Sequence, residues 1–523
     1  MSEYRASAEL AARREARRRA RRRAVRIRRA AALAAVALAG VAAWQLAWAF
    51  AGGGSTNASK APPAKPKARD TVRTSAAATA GQPRGAINPK VPGLTTFRGS
   101  LTRTYYGEGP VPRKKPRILW RYPRSGSMCA QSSDEHGTET WCGVGWTGQP
   151  NVIPRKKGKI LELRFGAYDD HYHFLNARTG RQLRPDLVTG DLAKGSATSD
   201  PDGYPLYYAG SRDNLFRIVA LDRPRPTVLW SMDANTTVSQ QVWNNDWDGA
   251  ALVVGDYLLE GGENSWFYVV KLNRGWTPKG KVRVRPHIVL TVPSWDSTLW
   301  SIWPTHSFSI ENSVAYRNGV VYFSNSAGLV QGWNISKILK GGTGARRVFR
   351  FWTGDDTDAS IVIDDEGYLY VASELEKFDS RSRAVGQLMK LNPHARKPLM
   401  WHVQLRQTAN GSGGSWSTPA LDRGVVYDAP NYGGLIAVDR KTGKVLWRYG
   451  LPGPTWSSPV VVDNVLLEGD CSGYLNAFDV ANPRRKPRRL WRLKLGGCIE
   501  ATPAVWRGRI YVGSRGGALY AIG

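Results

Sequence analysis

The sequence predicts an all-β fold: an eight-bladed β-propeller, with seven blades as the fallback, behind an N-terminal transmembrane helix and a disordered tether. Three observations carry this expectation. A single apolar run stands near the N-terminus, a low-complexity stretch follows it, and from residue 117 onward short β-runs ending in Trp recur. The 21 Trp and 55 Gly, set against 5 Met and 7 His, suit strands and tight turns packed with aromatic rings.

The first element is a basic tail, residues 1–29, rich in Arg. The second is the run Ala30 to Ala51, whose one polar member is Gln45. As a helix, 22 residues would span about 33 Å, enough for a hydrocarbon core of about 30 Å. Trp44, Trp48 and Phe50 gather at one end and Arg13 to Arg29 at the other, so the positive-inside rule keeps the N-terminus cytoplasmic and exports everything that follows. Ala49-Phe50-Ala51 also resembles a small-x-small cleavage site; a cleaved signal would export the same portion. Residues 52–90, built of Gly, Ser, Ala, Pro and Lys, have little to bury and read as a disordered linker. The formal net charge of +32 lies partly in these segments: twelve Arg against Glu3, Glu9 and Glu15 give residues 1–30 a charge of +9, and residues 31–90 add +6. The remaining +17 is spread over 433 residues with no basic, aromatic-laced helix, which excludes specific nucleic-acid recognition.

Residues 91–523 form the propeller domain. Its apolar runs end at Trp120, Trp230, Trp352, Trp401, Trp447 and Trp491, the last four separated by 49, 46 and 44 residues. Between them stand hairpins such as Val460 to Leu467, where two β-runs flank an Asp-Asn turn. Four strands per repeat make a blade. Counting units after residues 120, 183, 230, 291, 352, 401, 447 and 491 gives eight, the units near 183 and 291 having degenerate Trp positions. The last unit lacks a fourth strand, and Arg117–Tyr122, which has no strands before it, can fill the gap.

Ala437-Val438-Asp439-Arg440-Lys441-Thr442-Gly443-Lys444-Val445-Leu446-Trp447 resembles the A-x-D-x-x-T-G-x-x-x-W signature of quinoprotein (PQQ-type) propeller repeats; Asn176 to Gly180 and Ala477 to Asp479 are partial copies. The resemblance implies that the six Trp dock each blade onto its neighbour. It does not imply a cofactor, because the same repeat builds non-catalytic, BamB-like envelope scaffolds. Quinoprotein dehydrogenases carry adjacent cysteines near the cofactor, and no such pair occurs here.

Propeller geometry puts the inter-blade loops and the loops between second and third strands on one face. Inter-blade loops carry Asn244, Asp246, Trp247, Asp248, Glu311, Asn312, Asp355, Asp356, Asp358, Trp416, Trp456 and Glu500; the second set carries Glu263, Asn264 and Asp470. Carboxylates, amides and Trp converging on one face of a basic protein predict a ligand site, although Asp and Asn also favour turns on their own account. Asp356-Thr357-Asp358 opens like a calcium loop, but Ile361 and Gly367 replace the Gly and Glu that an EF-hand requires. His171 and His173 share a strand face without an evident third ligand. Four Cys in an exported domain predict disulfides. Cys471 and Cys498 fall on one face of neighbouring blades, which leaves Cys129 to pair with Cys142.

The function expected from these residues is a non-catalytic binding or scaffold domain at the outer face of the membrane, contacting an envelope protein or a glycan. No cofactor is expected, as PQQ or Ca²⁺ is supported by no motif. The alternative is a PQQ- or metal-dependent, dehydrogenase-like enzyme using the same polar face.

Overall fold

The structure, a computed structural model, describes residues 85–523 except 135–136, 156–157, 304, 378–379 and 408–412. The basic tail, the apolar run 30–51 and the linker as far as residue 84 lie outside the described residues. Among the described residues no helix is long and apolar enough to cross a membrane.

Eight sheets follow one another along the chain, at 151–188, 198–233, 252–293, 315–352, 362–403, 420–450, 460–494 and 504–522; they are blades 1 to 8. Blades 1 to 7 are four-stranded and antiparallel. In blade 8, Ile118–Tyr122 pairs antiparallel with Ala518–Ile522 and supplies the missing outer strand, so the N-terminal and C-terminal parts of the domain close the ring together. The central strands are apolar on both sides, as in Val465–Gly469, because each is covered by the blade before and the blade after. Outer strands alternate, as in Arg488–Lys494, because one side meets water.

The outer strands of blades 2 to 7 each pair with a register shift beside the docking position. Such a bulge turns the next side chain toward the neighbouring blade. Indole Nε1 of Trp401 donates to Arg440 O at 3.1 Å in blade 6, that of Trp447 to Pro483 O at 3.1 Å in blade 7, and that of Trp120 to Ala177 O at 3.2 Å in blade 1. Trp491 reaches Pro112 O at 2.7 Å, and Trp230 packs into the cluster shared by blades 2 and 3. The Gly of the repeat signature acquires a reason: Gly443, at φ +74°, lies so close to Trp401 that a Cβ there would approach the indole to 2.6 Å, and Gly180 meets Trp120 in the same way. Trp352 departs from the expected role. The register puts Phe349 at the docking position opposite Gly332, and Trp352, an odd number of residues further on, donates instead to Ala327 O of its own blade.

Residues 94–108 fill the hub, a feature absent from the sequence reading. Leu94 bridges Val152 in blade 1, Ser199 N in blade 2 donates to Thr95 O, Tyr316 N in blade 4 to Leu101 O, and Ile363 N in blade 5 to Thr102 O. Leu421 N in blade 6 donates to Tyr106 Oη, and Gly107–Glu108 pairs in parallel with Ala504–Trp506 of blade 8. Two fully buried arginines complete the plug. Arg103 donates to Val314 O at 2.9 Å, Ala250 O at 2.7 Å and Phe97 O at 2.8 Å; Arg98 donates to Thr418 O and to Pro459 O at 2.8 Å. They face the buried carboxylates Glu260, and Asp428 with Glu468, respectively. Residues 85–90, assigned to the linker by composition, also lie on the propeller, with Asn88 Nδ2 donating to Asp202 Oδ1 at 3.1 Å.

Replacing Arg103 by Ala leaves three buried carbonyls without their donor, at about 1–3 kcal/mol each, so Arg103→Ala should cost about 3–5 kcal/mol in urea unfolding. Arg103→Lys should recover little, because an ammonium cannot reproduce the planar fork of donors. An unchanged unfolding midpoint would remove the plug from the account of stability.

Candidate cation and ligand face

Antiparallel strands alternate in direction, so inter-blade loops and second-to-third-strand loops share a face. A chain of hydroxyl latches fixes the inter-blade loops beside the hub. Ala250 N donates to Ser313 Oγ, Ser313 N to Ser360 Oγ, Ser360 N to Thr418 Oγ1 and Thr418 N to Ser458 Oγ, all between 2.9 and 3.0 Å. Each hydroxyl thereby ties its loop to the preceding blade.

Held by this belt, the loops bring carboxylates into two groups. Asp248, Glu263 and Glu311, from blades 3 and 4, place one oxygen each within 4.8 Å of one another; Asp356, Asp358 and Glu374, all from the loops of blade 5, do the same. An ion that binds oxygen at about 2.3–2.6 Å can span such a set. Glu263 and Glu374 are each 2 % exposed. Glu263 Oε1, Asp248 Oδ1, Asp356 Oδ1, Asp358 Oδ1 and Glu374 Oε2 are buried with no hydrogen-bond partner. Burial, then Asp356 and Asp358, push Glu374 well above the usual carboxylate range, and burial lifts Asp356 to about 7 although Lys377 Nζ stands 3.6 Å away. Burial also raises Asp246 to about 7 against the pull of Arg212, which it meets at 2.7 Å. Lys194 lies against Asp248 and 3.8 Å from Glu311, so each group has a lysine beside it.

Several residues predicted for the face have other tasks. Trp247, 1 % exposed, packs between Phe216 and Tyr268, and its indole donates to Asn214 O. Asn264 donates to Ala234 O and Tyr268 Oη, and Asn312 to Ser324 O and Thr357 O. Asp355 accepts from the backbone N–H groups of Glu376 and Lys377, and Asp470 from Tyr474 N and Asn476 Nδ2. These are the turn and loop-closing roles that Asp and Asn favour. Asn244 donates to Glu263 Oε2 at 2.5 Å, Glu500 pairs with Arg515 at 3.1 Å, and Trp416 and Trp456 stand side by side with ring centroids 4.9 Å apart. Glu374 and Lys194 escaped the sequence reading. Aligning the repeats could have found Glu374, which follows its second strand much as Glu263 does.

Both expected disulfides are present: Cys129–Cys142 staples the hairpin of Cys129–Asp134 and Gly137–Cys142, and Cys471–Cys498 joins blade 7 to the loop entering blade 8. Trp141 of the stapled hairpin lies under the guanidinium groups of Arg212 and Arg515. His173 is an ion-pair centre: burial alone would lower its pKa, but Asp169 at 3.1 Å and Asp186 at 3.2 Å raise it to about 9.

Residues 385–486 match the family model described as outer membrane protein assembly factor BamB, so this stretch carries repeats of PQQ type. The quinoprotein alcohol dehydrogenase PedH of Pseudomonas putida is 31% identical over 120 residues, 21% of this chain and 20% of that protein. A quinoprotein ethanol dehydrogenase of Pseudomonas aeruginosa is 31% identical over 91 residues, 17% of this chain and 14% of that protein. The chain therefore spans a fifth or less of the length of these relatives. Among solved structures, the quinohemoprotein alcohol dehydrogenase of Comamonas testosteroni superposes with a TM-score of 0.52 at 12% identity, over 82% of this chain and 80% of that one. A europium-containing methanol dehydrogenase gives 0.51 at 15% identity, over 82% of this chain and 98% of that one. At these identities the likeness is one of fold.

Asp246 and Asp356 bind a proton more tightly when folded, at about 7 against an ordinary 3.8. The folded state thus holds more protons between those values, and stability falls as pH rises through that window. Urea midpoints measured without divalent cations should decline from about pH 4 to 7, and Asp356→Asn with Glu374→Gln should flatten the decline. A slope unchanged in the double variant would contradict this assignment.

Proposed function

We propose that the chain is an extracytoplasmic binding propeller, anchored through the apolar run 30–51, whose acidic face holds a divalent cation of the calcium type and through it a hydroxyl-rich envelope ligand such as a glycan. The observation that supports this reading is the set of buried carboxylate oxygens without partners at Asp356, Asp358 and Glu374. Buried carboxylates whose oxygens lack partners are costly to ionise, and a hard cation offsets that cost. Calcium takes six to eight oxygens, so three carboxylates leave positions that water or ligand hydroxyls can complete. Trp416 and Trp456 offer apolar surface on the same face, against which sugar rings can pack.

The quinoprotein relatives raise a quinone cofactor, and the residues here fit one poorly. A PQQ-type quinone is a planar polycarboxylate and calls for uncommitted cations. Lys194, Arg212 and Arg515 are each engaged by a carboxylate, at Asp248, Asp246 and Glu500, and the cysteines pair within a hairpin and between neighbouring blades rather than adjacently.

Titrating the full chain in detergent with CaCl₂ under native mass spectrometry should add calcium, with dissociation constants on the order of 10⁻⁴–10⁻³ M, as for extracellular calcium modules. The variant Asp356→Asn, Asp358→Asn, Glu374→Gln should lose one equivalent. No uptake would sink the reading, as would a retained organic mass that the triple substitution leaves in place.

A further inference from the structure

The opposite face, formed by first-to-second and third-to-fourth turns, carries charge of the other sign. Each of blades 1 to 7 exposes at least one Lys or Arg in its outer, third-to-fourth turn, from Arg225 in blade 2 to four in 484–488 of blade 7; the segment 113–117 before the outer strand of blade 8 adds four more. The carboxylates of this face lie mostly in the inner turns or are already engaged. Asp202 and Asp256 hold Arg274, Asp439 holds Arg484, and Asp479 holds Arg113. The outer rim is left strongly basic.

Two further features belong to this rim. In blade 3 the third-to-fourth turn grows into a small hairpin, Gly275–Trp276 with Val282–Arg283. It raises Trp276, 50 % exposed, on a ring stack with Tyr204 at 5.5 Å, among the exposed cations Lys279, Lys281, Arg283 and Arg285. The second feature is the route of the chain. Asn88 is tied to Asp202 in a first-to-second turn, and Gly93 lies against Val152 and Pro154 at the corresponding end of blade 1. The first described residues of the chain therefore lie at the basic face.

We propose that this basic rim docks on an anionic phospholipid bilayer, with Trp276 entering the interface, so that the acidic face points away from the membrane. Lys and Arg are drawn to the negative potential of such a surface, and an exposed Trp flanked by cations suits the headgroup layer. Residues 88–93, which lie on this same side of the propeller, belong to the docking face in this orientation. The proposal is independent of the cation reading, because its residues lie on the other face.

All four native cysteines are in disulfides, so one introduced cysteine can carry a fluorophore. The full chain is placed in nanodiscs bearing a headgroup quencher, with Lys279→Cys reporting the basic rim and Ser239→Cys reporting the acidic face. In phosphatidylglycerol-containing discs the Lys279→Cys probe should be quenched at least about threefold more than the Ser239→Cys probe. The difference should vanish in phosphatidylcholine discs, at high salt, and in Arg484→Glu, Arg485→Glu, Lys486→Glu, which changes only exposed side chains. Equal quenching at both sites, or a difference indifferent to lipid charge and salt, would overturn the proposal. So would an absence of quenching combined with protection of the Lys279→Cys probe by soluble polyphosphate, which would assign the rim to an anionic polymer instead.

Discussion

Two guanidinium groups buried in the hub are the constraint on which the rest depends. A ring of eight blades leaves the first residues of its inner strands facing an axis, where backbone carbonyls lack neighbours to pair with. Arg98 and Arg103 reach those carbonyls from a segment far from them in sequence, spanning blades 3 and 4 on one side and 6 and 7 on the other. They also stand opposite the buried carboxylates Glu260, Asp428 and Glu468. An arginine suits this place because its five donors are rigid and its charge persists when buried.

With the hub filled from one side, the two faces are free to diverge. Strand interiors are consumed by blade-to-blade packing, so almost all polar variation falls on loops. On one face the hydroxyl belt holds the inter-blade loops tightly, which allows carboxylates to be buried close together. On the other, short turns project outward, and like charges there stay solvated and apart. A net positive domain can in this way present an acidic recess and a basic rim at once.

The blade repeat was readable because burial on both sides writes near-continuous apolar runs into each central strand, and because Trp and the T-G turn recur at the docking position. Closure by Arg117–Tyr122 followed from counting strands. The plug was not readable: Arg98 and Arg103 sit in an unremarkable stretch, and their partners are backbone carbonyls, which leave no residue signature. Trp352 misled because the interval matched while the face did not; only the register shows that Phe349 takes the docking place. On the acidic face, Asp356 and Asp358 were found as neighbours in sequence, whereas Glu374 joins them only through the fold. Trp247, Asn264 and Asn312 lie in the right loops, but side-chain direction, invisible in the sequence, turns them into the packing.

The central claim is that residues 94–108 are part of the propeller core rather than the end of a tether. Native-state hydrogen exchange read by mass spectrometry on the full chain tests it most directly. Peptides covering 96–106 should exchange as slowly as the inner strands of the blades and be released together with them as denaturant is added. Exchange of 96–106 at the rate of an exposed loop, while the blade strands stay protected, would contradict the account.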